Sequence, residues 1–254
     1  VLYGDTPLVS PATLQALLAR RRASDNPAVV VSGMIPPNPT GYGRLIVDGD
    51  LLQAIVEEKD ASPDQKKLTL CNGGIMVFDG ALLPELLASL TTANAKGEYY
   101  LTDTVAAARA RGRVCAHVEI PHTDVLGVNT RAELAVVESL MQQRLRARAL
   151  ANGATLQDPA TTYFAWDTVL GQDVTVEPSV FFGPGVRVGN NVTIRAFSHL
   201  EGVTIAAGAI VGPFARLRPG TQVGEGAHIG NFVELKNTTL EAGAKANHLT
   251  YLGD

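Results

Sequence analysis

An apolar residue recurs every six positions through the second half of the chain: Leu170, Val176, Phe182, Val188, Ile194 and Leu200. The register slips by one residue and resumes at Ile205, Val211, Leu217, Val223, Ile229 and Leu235, then slips again to Leu240, Ala246 and Leu252. Small or β-branched residues (Val180, Val186, Val192, Ala209, Ala215, Thr221, Ala227, Val233) stand two positions ahead of many of them. This period suits neither a helix nor an amphipathic strand. It suits a parallel β-helix, in which three short strands make one triangular coil of about eighteen residues. Gly183, Pro184, Gly189, Gly212, Pro213, Pro219, Gly220, Gly224 and Gly230 then fall at or near tight corners. The competing reading, a β-sandwich with regular turns, does not explain a period that persists through so many units.

The register converts sequence into geometry. Residues three units apart stack about 4.8 Å apart on one face. Leu200, Leu217, Leu235 and Leu252 form such a set, and the residues after them form an outward column of Glu201, Arg218, Lys236 and Gly253. Like charges on neighbouring rungs repel unless an anion compensates them. Two readings follow. Either Glu201 pairs with Arg218 and Lys236 points to water, or Arg218, Lys236 and nearby Tyr251 converge on one phosphate, with His248 in the corner just before.

The first half alternates strands and helices, which indicates an α/β unit. Val1–Tyr3 reads as a buried strand ending at Gly4-Asp5. Ser10-Pro11 starts a helix, and the β-branched run from Ala28 to Met34 reads as a buried strand. Asp48-Gly49-Asp50 joins two hairpin strands. Ser62–Gln65 is a capping box, as is Thr130–Glu133. The latter opens a long helix to about Leu150, with Leu134, Val137, Met141 and Leu145 on its buried face. The domain boundary is expected near this helix end, giving units 1–152 and 153–254. Asp5 and Asn129 both end strand-like segments, and an oxygen pair of this kind suits Mg²⁺, although a turn start and a helix lead-in would look the same. Gly43, Glu57, Asn72 and Thr102 lie in loops that could line the same cleft.

Hydrophobic residues make up 46% of the 254 residues and the formal net charge is −4. The first is enough for two cores; the second gives no basic field for nucleic acid. No apolar run approaches membrane-spanning length. Cys71 and Cys115, the only cysteines, form no disulfide framework and suit a reducing cytoplasm. The chain opens on an apolar run without lead-in, and the coil register is still running at Leu252. It is expected to be cut at both ends.

The segments VLYGDTPL, NPTGYGR, IVEEKDA, NGGI, GEYYLTD and GVNTRAEL, followed by GPFARLRPG, IGNFVELKN and KANHLTYLGD, resemble one bacterial family in one order. It is the bifunctional N-acetylglucosamine-1-phosphate uridyltransferase/glucosamine-1-phosphate N-acetyltransferases. The resemblance implies a partial Rossmann-like nucleotidyltransferase domain followed by a left-handed parallel β-helix of hexapeptide repeats, packed as a homotrimer. It implies Mg²⁺ on Asp5 and Asn129, and contacts from Gly43, Glu57, Asn72 and Thr102 to the nucleotide sugar, with Tyr3, Gly4 and Tyr100 flanking that pocket. It further implies a phosphate grip by Arg218, Lys236 and Tyr251, with His248 as general base. The co-substrates implied are UTP and acetyl-CoA, and the sugar substrates glucosamine 1-phosphate and N-acetylglucosamine 1-phosphate. The family's glycine-rich nucleotide-anchoring motif and its later coils, which complete the acetyl-CoA site, are absent from this sequence. Three other readings have weight: a single-activity nucleotide-sugar pyrophosphorylase with an oligomerising β-helix, a β-helix metal enzyme using His199 and His228, and a non-catalytic scaffold.

Overall fold

The computed structural model describes residues 1–92 and 97–254. The chain forms two compact units, Val1–Val137 and Glu138–Asp254.

In the first unit, β1 (Val29–Met34) is buried at every position. Val29 and Val31 enter one core with Leu45, Leu52, Met76 and Val105. Val30 and Met34 enter another with Leu17, Ile75 and Val125. A strand covered on both faces needs no polar alternation, which is why its sequence is a continuous apolar run. β1 pairs antiparallel with β4 (Cys71–Phe78) and parallel with β5 (Cys115–Glu119). β2 (Arg44–Asp48) and β3 (Leu51–Val56) form the expected hairpin. They also reach β4 and β5, so the sheet of this α/β unit is mixed and closes on itself. Helix α1 (Pro11–Arg21) starts as expected, with Ser10 Oγ accepting from the Thr13 N–H. Helices α2 (Leu83–Ala88) and α3 (Asp103–Ala110) follow.

Two expectations for this half need correction, and a third is met on a shorter element. Val1–Tyr3 is not a buried strand: its residues are about half exposed. Val1 exchanges backbone hydrogen bonds with Met76, and the Tyr3 ring lies against Gly74. The Ser62–Gln65 capping box forms, but it opens only the single 3₁₀ turn Gln65–Lys67. Leu134 is 53% exposed, whereas Val137 and Leu145 are buried. It lies in the first turns of α4 (Arg131–Ala151), ahead of the part that packs. That later part explains why the division at 137/138 precedes the expected 152. Gln142 exchanges hydrogen bonds with the backbone of Phe164, and Leu145 joins the β-helix core.

The second unit is the parallel β-helix. Its short strands, of two to four residues, stack into three parallel sheets, one per face. The inward row on one face runs Phe164, Phe182, Leu200, Leu217, Leu235, Leu252. The one-residue slips fall at shortened corners holding Gly202 (φ 56°) and Asn237 (φ 45°), and the strands beyond them stay in register. Only some of the corner glycines are needed for a positive φ. At Gly230 the requirement is close approach, since a Cβ there would land on the Asn247 carbonyl oxygen of the next coil.

One corner column was not foreseen. Phe197, Phe214, Phe232 and Leu249 all adopt positive φ, between 48° and 60°. A bulky residue loses about 1–2 kcal/mol in this region. Stacking offsets part of this cost: the rings of Phe197 and Phe214 lie 4.9 Å apart, and those of Phe214 and Phe232 5.1 Å apart.

Leu217→Ala removes a fully buried rung and is expected to destabilise the β-helix by about 2–5 kcal/mol. Leu134→Ala, on an exposed turn, should change stability by less than about 0.5 kcal/mol. Denaturant unfolding followed by circular dichroism checks both.

Candidate functional site

The first unit contains an open cavity of about 660 Å³. Tyr3, Asp5, Gly43, Glu57, Asn72, Tyr100, Thr102 and Asn129 all line it. Gly4 does not; it lies in the exposed turn alongside. The residues come from segments far apart in sequence, and the sheet brings them together. Arg44 pairs in register with Val56 and with Cys71. Gly43, Glu57 and Asn72 therefore emerge side by side from three strand ends. The Asn72 N–H donates to the Gly43 carbonyl at 2.8 Å. A Cβ on Gly43 would lie 3.3 Å from Glu57 Oε2, so glycine leaves that carboxylate its place. Thr102 Oγ1 donates to Glu57 Oε1 at 3.1 Å.

The other wall is built by loops. The Val128 N–H donates to the Asp5 carbonyl at 2.8 Å, tying the two loops together. Their side chains converge over Gly127: a Cβ there would be 3.6 Å from Asp5 Oδ2 and 3.8 Å from Asn129 Nδ2. A half-turn of the amide presents Asn129 Oδ1 to the same space. A carboxylate and an amide oxygen are hard donors, so the pair fits Mg²⁺, which takes one or two protein oxygens and fills its shell with water and phosphate. Glu133 also lines the cavity. It accepts from the Asn129 and Thr130 N–H groups at 2.7 and 2.8 Å, completing the expected capping box. These backbone bonds hold its carboxyl below the usual range.

Burial, then the nearby charges of Glu57 and Asp5, push the Tyr3 phenol above its ordinary value. Burial does the same at Tyr100, followed by Glu98, Asp60, Glu57 and Asp103. Both phenols thus stay neutral donors near neutral pH. Tyr42, Tyr99, Gly74 and Glu133 line the cavity as well and were not singled out from the sequence. All four stood inside segments already noted, NPTGYGR, GEYYLTD, NGGI and GVNTRAEL. Gly74 supports the Tyr3 ring, since a Cβ there would sit 2.6 Å from Tyr3 Cε2.

The second unit carries the other candidate group on one face. Arg218 N–H donates to the Leu235 carbonyl at 2.9 Å, which places it beside Lys236 on the next coil. Lys236 in turn pairs in register with Gly253, and Tyr251 with Glu234. Neither sequence reading of the pair is complete. Arg218 is bonded to Glu234, one coil up, at 3.1 Å rather than to Glu201. Lys236 lies 3.3 Å from Asp254, whose carboxyl it holds below the usual range. The Tyr251 hydroxyl donates to the Asp254 carbonyl at 2.8 Å. His248 is exposed at the end of the strand Lys245–His248 on the adjoining face, opposite Asn231. His199 and His228 lie on different faces, and the described residues contain no cluster of three or more metal-ligating His, Cys, Asp or Glu side chains.

Fold and sites together describe a parallel β-helix of hexapeptide repeats, preceded in the chain by an α/β unit with an open polar cavity. The bacterial transferase hexapeptide model (six repeats) matches residues 167–202 and 202–237. Along its whole length the chain is 59% identical to the bifunctional protein GlmU of Paramagnetospirillum magneticum, covering 57% of that protein. It is 56% identical to GlmU of Sphingopyxis alaskensis and 53% identical to GlmU of Azorhizobium caulinodans, covering all of this chain and 56% of each. The chain therefore spans a little over half the length of the curated relatives it matches, and within that span it is closely similar to GlmU.

Replacing Glu57 with Gln should bring the Tyr3 phenol titration down towards its ordinary value without restoring it fully, because burial remains. An NMR titration of ring-labelled tyrosine measures this.

Proposed function

We propose that the protein carrying this sequence catalyses two steps towards UDP-N-acetylglucosamine: N-acetylation of glucosamine 1-phosphate by acetyl-CoA, then uridylyl transfer from UTP to N-acetylglucosamine 1-phosphate. The observation that carries the reading is the convergence of Asp5, Gly43, Glu57, Asn72, Thr102 and Asn129 on one cavity. The close similarity to GlmU supports it.

In uridylyl transfer an oxygen of the sugar phosphate attacks the α-phosphorus of UTP in line. A new P–O bond forms, the bond to the β-phosphate breaks, and pyrophosphate leaves. The attacking oxygen is already ionised, so no general base is needed, and positioning with charge neutralisation supplies the rate. Mg²⁺ held by Asp5 and Asn129 would supply that neutralisation. Glu57, fixed by Thr102, and Asn72 offer an acceptor and an amide to sugar hydroxyls, and Gly43 lets the ligand approach the backbone. Tyr3, Gly4 and Tyr100 flank the pocket.

In acetyl transfer the substrate amine attacks the thioester carbonyl, and the C–S bond breaks to release coenzyme A. An ammonium cannot attack, so a proton must leave. His248 is the proposed acceptor, a role that suits an imidazole near neutral pH. Arg218, Lys236 and Tyr251 hold the phosphate and thereby orient the amine. The β-helix is proposed to assemble as a homotrimer, in the cytoplasm.

In the full-length protein, Asp5→Asn or chelation of Mg²⁺ should abolish uridylyl transfer and leave acetyl transfer intact. Loss of both in the variant would indicate misfolding. His248→Ala should do the reverse, and near-normal acetylation would remove the general-base role. Lys236→Ala should raise the KM for glucosamine 1-phosphate more than that for acetyl-CoA.

A further inference from the structure

Arg44 is 1% exposed, the largest fully buried side chain of the molecule among the described residues. A guanidinium does not neutralise itself when buried, so its place must be justified by partners. Every edge of it is used. Nε donates to the Leu68 carbonyl at 2.9 Å, Nη1 to the Tyr42 carbonyl, and Nη2 to the Lys66 carbonyl at 3.4 Å. Nη2 also lies 2.8 Å from Glu58 Oε2.

These partners are not scattered. Tyr42 precedes Gly43, Glu58 follows Glu57, and the segment from Lys66 to Leu68 leads into Cys71-Asn72. The backbone of Arg44 pairs with Val56 and Cys71, the residues next to Glu57 and Asn72. One side chain thus ties together the three strand ends that present Gly43, Glu57 and Asn72. Burial of a plain structural residue would be met more cheaply by a leucine, as at the neighbouring Leu45, which is 2% exposed.

We propose that Arg44 is a positioning residue for the sugar end of the nucleotide-sugar cavity, acting through Gly43, Glu57 and Asn72 without touching substrate. This rests on the uridylyl-transfer reading of that cavity. Its planar fork spans three carbonyls and a carboxylate at fixed angles. A lysine offers one nitrogen on a flexible stem and spans at most part of that set. Loosening the fork lets the three ligand contacts drift relative to one another, and small displacements of positioning groups are expensive in rate or affinity.

The test uses full-length protein. Arg44→Lys keeps a cation opposite Glu58 and so is the variant of choice for retaining the fold. Its KM for N-acetylglucosamine 1-phosphate should rise roughly tenfold, with the KM for UTP and the rate of acetyl transfer within about twofold of the parent. The pair Arg44→Met, Glu58→Leu removes both buried charges together. If Arg44 only neutralises Glu58, this double variant recovers a parental KM and the proposal falls; if the fork positions the site, the KM stays raised. An unchanged KM in folded Arg44→Lys also overturns it. Glu57→Ala and Asn72→Ala serve as the reference: if these leave the sugar-phosphate KM unchanged, the assignment of the cavity itself fails and the role of Arg44 falls with it. If they raise it while Arg44→Lys does not, only the positioning role is lost.

Discussion

Coil is bonded to coil along one wall of the β-helix by the Gly183, Glu201 and Arg218 N–H groups. They donate in turn to the Leu200, Leu217 and Leu235 carbonyls at 2.7, 2.9 and 2.9 Å. A buried backbone polar group must find a partner, and here the only available one lies on the adjacent coil. This vertical bonding fixes which residues stack. Leu200, Leu217 and Leu235 are held inside one above another, and whatever follows each leucine is held outside in the same column. Arg218 and Lys236 become neighbours for that reason alone, although the chain between them travels once round the prism. The first unit obeys a related constraint. Pairing of Arg44 with both Val56 and Cys71 brings three loops to one rim, and the cavity exists because they end together.

Those features that follow from backbone periodicity were legible in the sequence. The six-residue repeat located the inward rows, the two register slips and the Arg218–Lys236 column. Capping chemistry located the starts of α1 and α4, because the side chain that caps a helix and the N–H it serves are a few residues apart and need no tertiary information. The residues of the cavity were partly legible by position, since Gly43, Glu57 and Asn72 all flank apolar strand runs.

What depended on neighbours distant in sequence was not. The exposure of Val1–Tyr3 could not be judged from its apolarity, because its contacts with β4, the Val1–Met76 backbone bonds and the Tyr3 ring against Gly74, are made to residues distant in sequence. Leu134 fits the helical stripe of α4, but the period says nothing about where along the helix the covering surface begins. Phe197, Phe214 and Phe232 occupy corners where sequence rules favour Gly or Asn; ring stacking from coil to coil, invisible to any local rule, helps hold them there. The pairing of Arg218 with Glu234 rather than Glu201 was equally hidden, since Glu201 shares Arg218's column whereas Glu234 stands opposite Arg216, so the ion pair runs diagonally across the register.

The cations on that wall have a consequence of their own. Arg218 and Lys236 already have carboxylate companions, Glu234 and Asp254. On the proposed phosphate grip, an incoming phosphate would not fill a bare electropositive hole: it would compete with Glu234 and Asp254 for the same two cations. In such a competition the local charge would change less than in simple neutralisation, so added electrolyte would screen the resident and the arriving anion alike. A phosphate would offer the two rungs three oxygens where a carboxylate offers two.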